Sequence, residues 1–226
     1  MTKINVHKTI TLILQAILVV EILLALWNEQ WFTALITAGI IIITLAPLFI
    51  AKFLHVYIPH IFSLMAIAFI FASLFLGEIR DYYTKFWWWD MALHTTSGFL
   101  LGITGFLMVH VLNETDEIGI HMKPGFVAFF AFLFAIGIGV IWEIFEYSMD
   151  ALFGMNMQKP MLGDPSGLTD TMWDLIVDSI GALIVSMFGY IYIKRGKKQS
   201  FLERWVTAFI TSNPRLFKKR GRNEGQ

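Results

Sequence analysis

Residues 125–147 read GFVAFFAFLFAIGIGVIWEIFEY, and the first charge in the stretch is Glu143, close to its end. A helix that crosses a bilayer takes about 20 predominantly apolar residues, so this stretch is read as a membrane span. Glu143, Glu146 and, just beyond, Asp150 stand at i, i+3 and i+7. That spacing puts them on one helical face. Working outward, five further apolar runs of spanning length occupy residues 9–27, 32–50, 59–77, 91–111 and 171–193. The expected fold is an all-α polytopic membrane protein: a six-transmembrane-helix bundle over residues 1–196, followed by a C-terminal amphipathic helix in a basic tail, 197–226. Pro47 and Pro59 lie near the ends of their runs, where the ring is tolerated.

Composition agrees. Of the 226 residues, 57 % are hydrophobic and only 15 % charged, with a mean hydropathy of +0.65. Soluble domains carry about 25 % charged residues. So much apolar surface argues against a soluble globule and against disorder. The net charge of +0 gives no electrostatic reason for a nucleic-acid partner. Having no Cys removes disulfides, thiolate metal sites and Cys nucleophiles. Lys3 and Lys8 before the first run resemble a signal peptide, but no small-residue cleavage site follows, and the run is read as a retained helix.

Orientation follows from Lys and Arg in short loops. With six spans both termini share a side, and that side carries fourteen of the 17 basic residues. The other side holds Arg80, Lys85 and Lys159. The expectation is a cell (inner) membrane protein with both termini cytoplasmic, and Trp87, Trp88 and Trp89 as an outer aromatic belt. In the tail, Phe201, Leu202, Trp205, Val206, Phe209 and Ile210 recur at helical spacing. This predicts a helix lying on the inner leaflet, with Lys218, Lys219, Arg220 and Arg222 attracting anionic lipid. The competing reading is a basic tail that only fixes topology.

On this topology the acids converge in the outer half. Glu78 and Asp81 follow the third run, and Asp90 begins the fourth with His94 one turn on. Glu143, Glu146 and Asp150 close the fifth, Asp164 is in the next loop, and Asp170, Asp174 and Asp178 enter the sixth at i, i+4, i+8. An ionised residue in mid-membrane costs on the order of 3 kcal/mol on insertion scales. Asp90 and Asp170 have an alternative reading as first-turn acids favoured by the helix dipole. Glu146 and Asp150 have none, because they end a helix where the dipole disfavours them. Such a cluster must share protons, pair with cations or bind metal. Carboxylates with one imidazole suit Mg²⁺, Mn²⁺, Ca²⁺ or Zn²⁺. The bland alternative is a proton-sharing network that specifies packing.

Other features attach to this one. Gly98, Gly102, Gly139 and Gly181 lie on the acid-bearing faces, and small residues let membrane helices approach. Trp89-Asp90-x-x-x-His94 echoes Trp173-Asp174-x-x-x-Asp178, a match short enough to be chance. The loop from Phe153 to Thr169 is long for a bundle and is read as a lid, with a turn at Asp164-Pro165-Ser166-Gly167. Glu21, in the first run with Gln15, joins the cluster or pairs with Arg80. His110 and His121 lie toward the cytoplasm, and His55 and His60 are interfacial. No Gly-rich phosphate loop, G-x-S-x-G or H-E-x-x-H motif is present.

Trp89-Asp90-x-x-x-His94-x-x-Ser97-Gly98, Trp142-Glu143-x-x-Glu146 and Asp170-Thr171-x-x-Asp174-x-x-x-Asp178-x-x-Gly181-Ala182 together resemble the YjdF-like family of uncharacterised bacterial integral membrane proteins, over roughly residues 10–195. The resemblance implies a multi-pass cell-membrane protein and no particular activity. By contrast, the D-G-x-x-A-R core of the CDP-alcohol phosphatidyltransferases is missing, and so is the Ser-Arg motif of the undecaprenyl pyrophosphate phosphatases.

The leading expectation is a metal-dependent hydrolase or transferase acting on a lipid-linked or phosphorylated substrate. Asp90, His94, Glu143, Glu146, Asp170, Asp174 and Asp178 would hold divalent metal. Glu143, Asp174, His94 and Arg80 would carry the chemistry, a carboxylate or His94 as general base and Arg80 neutralising a phosphate. The alternatives are a proton- or cation-coupled transporter and a membrane scaffold. Against transport, the inner half of the sixth run reads Ala182-Leu183-Ile184-Val185-Ser186-Met187-Phe188, mostly apolar.

Overall fold

The computed structural model describes residues 6–53, 55–114, 122–195 and 201–214. Six helices are long and apolar enough to cross a membrane: His7–Trp27, Trp31–Phe53, His60–Ile79, Trp89–His110, Pro124–Phe153 and Leu168–Lys194. The six expected spans are all there. Among the described residues there is no β-strand, only an isolated bridge between Met161 and Asp164. His121 and the basic cluster Lys218, Lys219, Arg220 and Arg222 lie outside the described residues.

The chain divides into two compact units, Met1–Leu93 and His94–Gln226. In the first, α1 (Val6–Trp27) and α2 (Trp31–Phe53) pack with α3 (His60–Ile70) around Leu18, Ile40, Phe71 and Phe75. α2 continues through Pro47 to Phe53. α3 runs directly into a nine-residue π-helical segment, Phe71–Ile79. Its i→i+5 pairing persists to the end, where Arg80 N–H donates to the Phe75 carbonyl at 2.9 Å. Polar groups inside this unit are tied across helices, as apolar surroundings require. Gln15 Nε2 donates to Thr44 Oγ1 at 2.7 Å, and Thr44 in turn donates to the Ile41 carbonyl at 2.8 Å. The Arg80 guanidinium is ion-paired with the buried carboxylate of Glu21. A short helix, α4 (Tyr82–Lys85), follows a left-handed Asp81 at φ 62°.

The second unit carries most of α5 (Trp89–Glu114), then α6 (Pro124–Phe153), α7 (Leu168–Arg195) and α8 (Phe201–Ser212). Lys123-Pro124 starts α6 with Pro in the first turn, where its missing N–H costs nothing. Gly154 ends it in the left-handed region at φ 62°. At one end of the unit, Phe106, Val109, Val127, Ala131 and Tyr192 form an apolar core against which Ile210 of α8 packs.

Toward the other end, α5 and α7 meet through glycine. A Cβ on Gly98 would lie 2.8 Å from the Asp178 carbonyl carbon, and one on Gly181 would lie 2.9 Å from Phe99 N. The two backbones are in contact. This reciprocal pair draws the polar faces of α5 and α7 together, and Gly139 of α6 brings in the third: a Cβ there would lie 2.6 Å from Asp178 Oδ2.

Candidate metal centre

The glycine contacts bring four chemistry-bearing residues of the second unit to one place. His94 comes from α5, Glu143 from α6, and Asp174 and Asp178 from α7, and all four are buried. The His94 ring stands among the carboxylates. Its Nδ1 lies 3.4 Å from Asp178 Oδ2 and 3.8 Å from Glu143 Oε1, and its Nε2 lies 3.9 Å from Asp174 Oδ2. The single hydroxyl proton of Ser97, one turn on from His94, is shared between Asp178 Oδ1 at 2.5 Å and the His94 carbonyl at 2.8 Å. Glu143 is only 4 % exposed, yet no hydrogen bond of 3.5 Å or less reaches either of its oxygens, and the Thr171 hydroxyl is the donor that acts on it.

The remaining acids have other duties. Asp150, at the end of α6, accepts the backbone N–H of Met157 at 2.7 Å and of Gln158 at 2.9 Å. Asp170, in the first turn of α7, accepts Lys159 N–H at 2.7 Å, and Gln158 Nε2 donates to Thr171 Oγ1 at 2.7 Å. Residues 157–159 thus form a strap held by carboxylates of two helices. Asp164 caps α7: its oxygens accept from Ser166 N–H, Thr169 N–H and the Thr169 hydroxyl at 2.8–3.0 Å. The Ser166 hydroxyl, then the Ser166 N–H and the two Thr169 donors, hold its carboxyl well below the ordinary carboxylate value. Glu146 is buried and accepts from the Trp142 indole N–H at 3.0 Å.

Asp90 is the acidic residue in the first turn of α5, one turn before His94 on the same helix. Arg80 belongs to the first unit, paired with Glu21, which resolves the two options read for Glu21. His110 lies in the apolar end of the second unit, stacked on Phe106 with ring centroids 5.6 Å apart. His60 stacks on His7 at 6.0 Å and bonds to the Tyr57 hydroxyl at 2.8 Å. What sequence reasoning missed is Ser97 as the partner of Asp178. The signal was available: Ser97 is i+3 from His94 and so shares its face.

The donors suit a hard or borderline divalent cation. His94 and Asp174 offer ligand atoms within 4.8 Å of one another. Burial of several carboxylates around one imidazole leaves a charge that protons or a cation must balance.

Comparisons with known proteins agree with the membrane reading. An uncharacterized protein from Thermotoga maritima is 32 % identical over 149 residues, covering 64 % of this chain and 70 % of that one. No solved structure matches. The family model described as "Predicted membrane protein (DUF2238)" matches residues 8–195, the range over which the resemblance was drawn. With most of its length matched in this way, the chain belongs to the DUF2238 family of membrane proteins.

Proposed function

We propose that the protein is a metal-dependent membrane hydrolase or transferase, acting on a phosphorylated or lipid-linked substrate. In this reading His94 and Asp174, with Asp90 one turn before His94, bind a divalent cation. Glu143 is the general base that takes a proton from water or a substrate hydroxyl. Asp178 and Glu146 complete the acidic surround, and Asp170 holds the strap. Arg80 has no part in it, since its guanidinium is bonded to Glu21.

One observation carries the proposal. Glu143 is buried in a helix long enough to span a membrane, beside an imidazole, with no hydrogen bond of 3.5 Å or less to either oxygen. A purely structural network would satisfy such a group, because an orphaned buried polar group costs about 1–3 kcal/mol and a charged one more. A site that handles protons and cations has reason to leave it open. The core around Phe106 and Tyr192 is apolar, which favours this reading over a transport path. The distribution of Lys and Arg supports a cell-membrane orientation with cytoplasmic termini, residues 197–226 forming a basic amphipathic tail on the inner leaflet.

The test is elemental analysis of the detergent-purified protein beside the Glu143→Gln/Asp174→Asn double variant. Near-stoichiometric metal in the parent, lost in a folded double variant, is the expected result. Phosphorylated lipids are then the first substrates to screen. Absence of metal from the folded parent after incubation with Mg²⁺, Mn²⁺, Ca²⁺ and Zn²⁺ would overturn the reading.

A further inference from the structure

One side chain of the strap turns back onto α7. Gln158 is held through its backbone, its N–H by Asp150 at 2.9 Å and the next N–H, that of Lys159, by Asp170 at 2.7 Å. It is also packed: a Cβ on Gly167 would lie 2.6 Å from the Gln158 Cβ. From this fixed place its Nε2 donates to Thr171 Oγ1 at 2.7 Å. A threonine hydroxyl has one proton to give and two lone pairs to offer. Inside a helix it often gives the proton to the carbonyl four residues back. Thr11, Thr37, Thr104 and Thr211 all do so, at 2.7–3.0 Å. Thr171 does not, although the Gly167 carbonyl stands four residues back and accepts the Thr171 N–H at 3.1 Å. Its hydroxyl is instead the donor that acts on Glu143 of α6.

We propose that Gln158 and Thr171 are positioning residues that tie the loop between α6 and α7 to Glu143. The Gln158 amide occupies the threonine oxygen and turns its proton away from the Gly167 carbonyl, toward the buried carboxyl. One Glu143 oxygen is then held, and the other is left for the proton it takes. That use of Glu143 rests on the functional reading above; the tie itself does not. Catalytic hydrogen bonds are often long until substrate arrives and tighten only then. A buried acid with no bond of 3.5 Å or less can therefore still have an assigned donor.

The experiment is infrared spectroscopy of the full chain in detergent, metal-free and carrying ¹³C-labelled glutamate. The Glu143 carboxyl band is isolated by subtracting the spectrum of Glu143→Gln. Thr171→Val removes the donor at constant shape, Thr171→Ser keeps it, and Gln158→Met removes the amide at nearly constant length. Zn²⁺ binding is then measured on the same samples. The expected result is a Glu143 band that moves in Thr171→Val, moves the same way in Gln158→Met, and moves no further when the two are combined, because both changes take away one donor. Thr171→Ser should keep the parental band. A loop that is merely loosened would give shifts that add, and serine would not restore the band. The proposal is overturned if the band stays in place in either single variant, if the shifts add, or if Thr171→Ser shifts as far as Thr171→Val. Should Gln158→Met not fold, Gln158→Leu takes its place. Bands that behave as expected in a parent that binds no Zn²⁺ would leave the tie standing and remove the metal reading. Zn²⁺ bound by a parent whose band is indifferent to both substitutions would overturn the tie and leave the metal reading in force.

Discussion

Gly98→Ala is the most informative single methyl group that can be added to this protein. In the folded state the new Cβ would lie 2.8 Å from the Asp178 carbonyl carbon and 2.9 Å from its Cα. Both are backbone atoms, so no rotamer change relieves the overlap. Carbon atoms are comfortable at about 3.5–4.0 Å, and α5 must therefore move from α7 by at least about 0.7 Å. Overpacking of this kind costs about 1–3 kcal/mol, and the backbone contact places it toward the top of that range. For a chain of this length that is a fall in melting temperature of roughly 5–10 °C. The same shift would stretch the 3.4 Å contact between His94 and Asp178 to about 4 Å, past hydrogen-bond range. Metal binding should weaken with it, because coordination tolerates only about 0.2 Å. The assay is tryptophan-monitored thermal unfolding in detergent, with Zn²⁺ titration alongside. Gly137→Ala is the control, since nothing lies within 4 Å of a Cβ there. A Gly98→Ala protein that melts with the parent, or a Gly137→Ala protein that falls equally far, would refute the reasoning.

Three further outcomes are expected. Arg80→Gln strands the buried Glu21 carboxylate, whereas Glu21→Gln leaves an arginine that is already 48 % exposed; the first should cost about 1.5–3 kcal/mol and the second clearly less, as read from thermal unfolding of both and the double variant. Gln15→Leu removes an interhelical hydrogen bond worth about 0.6 kcal/mol in membrane proteins, so its melting temperature should fall by no more than a few degrees; a collapse of the fold would mean that the bond does more than join two helices. Asp164 has a folded-state pKa held below its ordinary value of 3.8, so its stabilisation of the α7 cap is complete above that value and is lost as pH falls toward the native one. Amide exchange at Ser166 and Thr169 should therefore stay protected from pH 7 down to about pH 4, within the range where the ordinary carboxylate still ionises, and Asp164→Asn should lower that protection across the whole range; protection that fades between pH 7 and 5 would contradict this.

The spans were legible because apolar length is a local property. Residues 125–142 carry no charge, and nothing elsewhere in the chain can change what that means in lipid. The core of the candidate site was legible for a related reason: His94, Glu143, Asp174 and Asp178 lie on helical faces whose phase follows from spacing alone. What could not be read was how each acid is spent. Asp150, Asp164 and Asp170 look like members of the cluster until the loop from Gly154 to Gly167 folds back and takes their oxygens. That return path depends on left-handed turns at Gly154, Gly163 and Gly167, whose combined direction no local rule supplies. Nor does the sequence of Phe71–Ile79 announce a π-helix, since its apolar residues satisfy either winding.

That π-helical segment carries a message about insertions and deletions. A wider turn accommodates residues that an α-helix of the same span would not, so Phe71–Ile79 holds surplus chain in a place where backbone hydrogen bonds are still made. Shortening it by one residue would let the segment rewind toward α geometry without exposing peptide groups to lipid. Removing a residue from an α-helical stretch, by contrast, would rotate everything after the cut by about 100° about the helix axis. The π-helical segment is thus the place in this helix where a one-residue change of length least disturbs the pairing of Arg80 with Glu21.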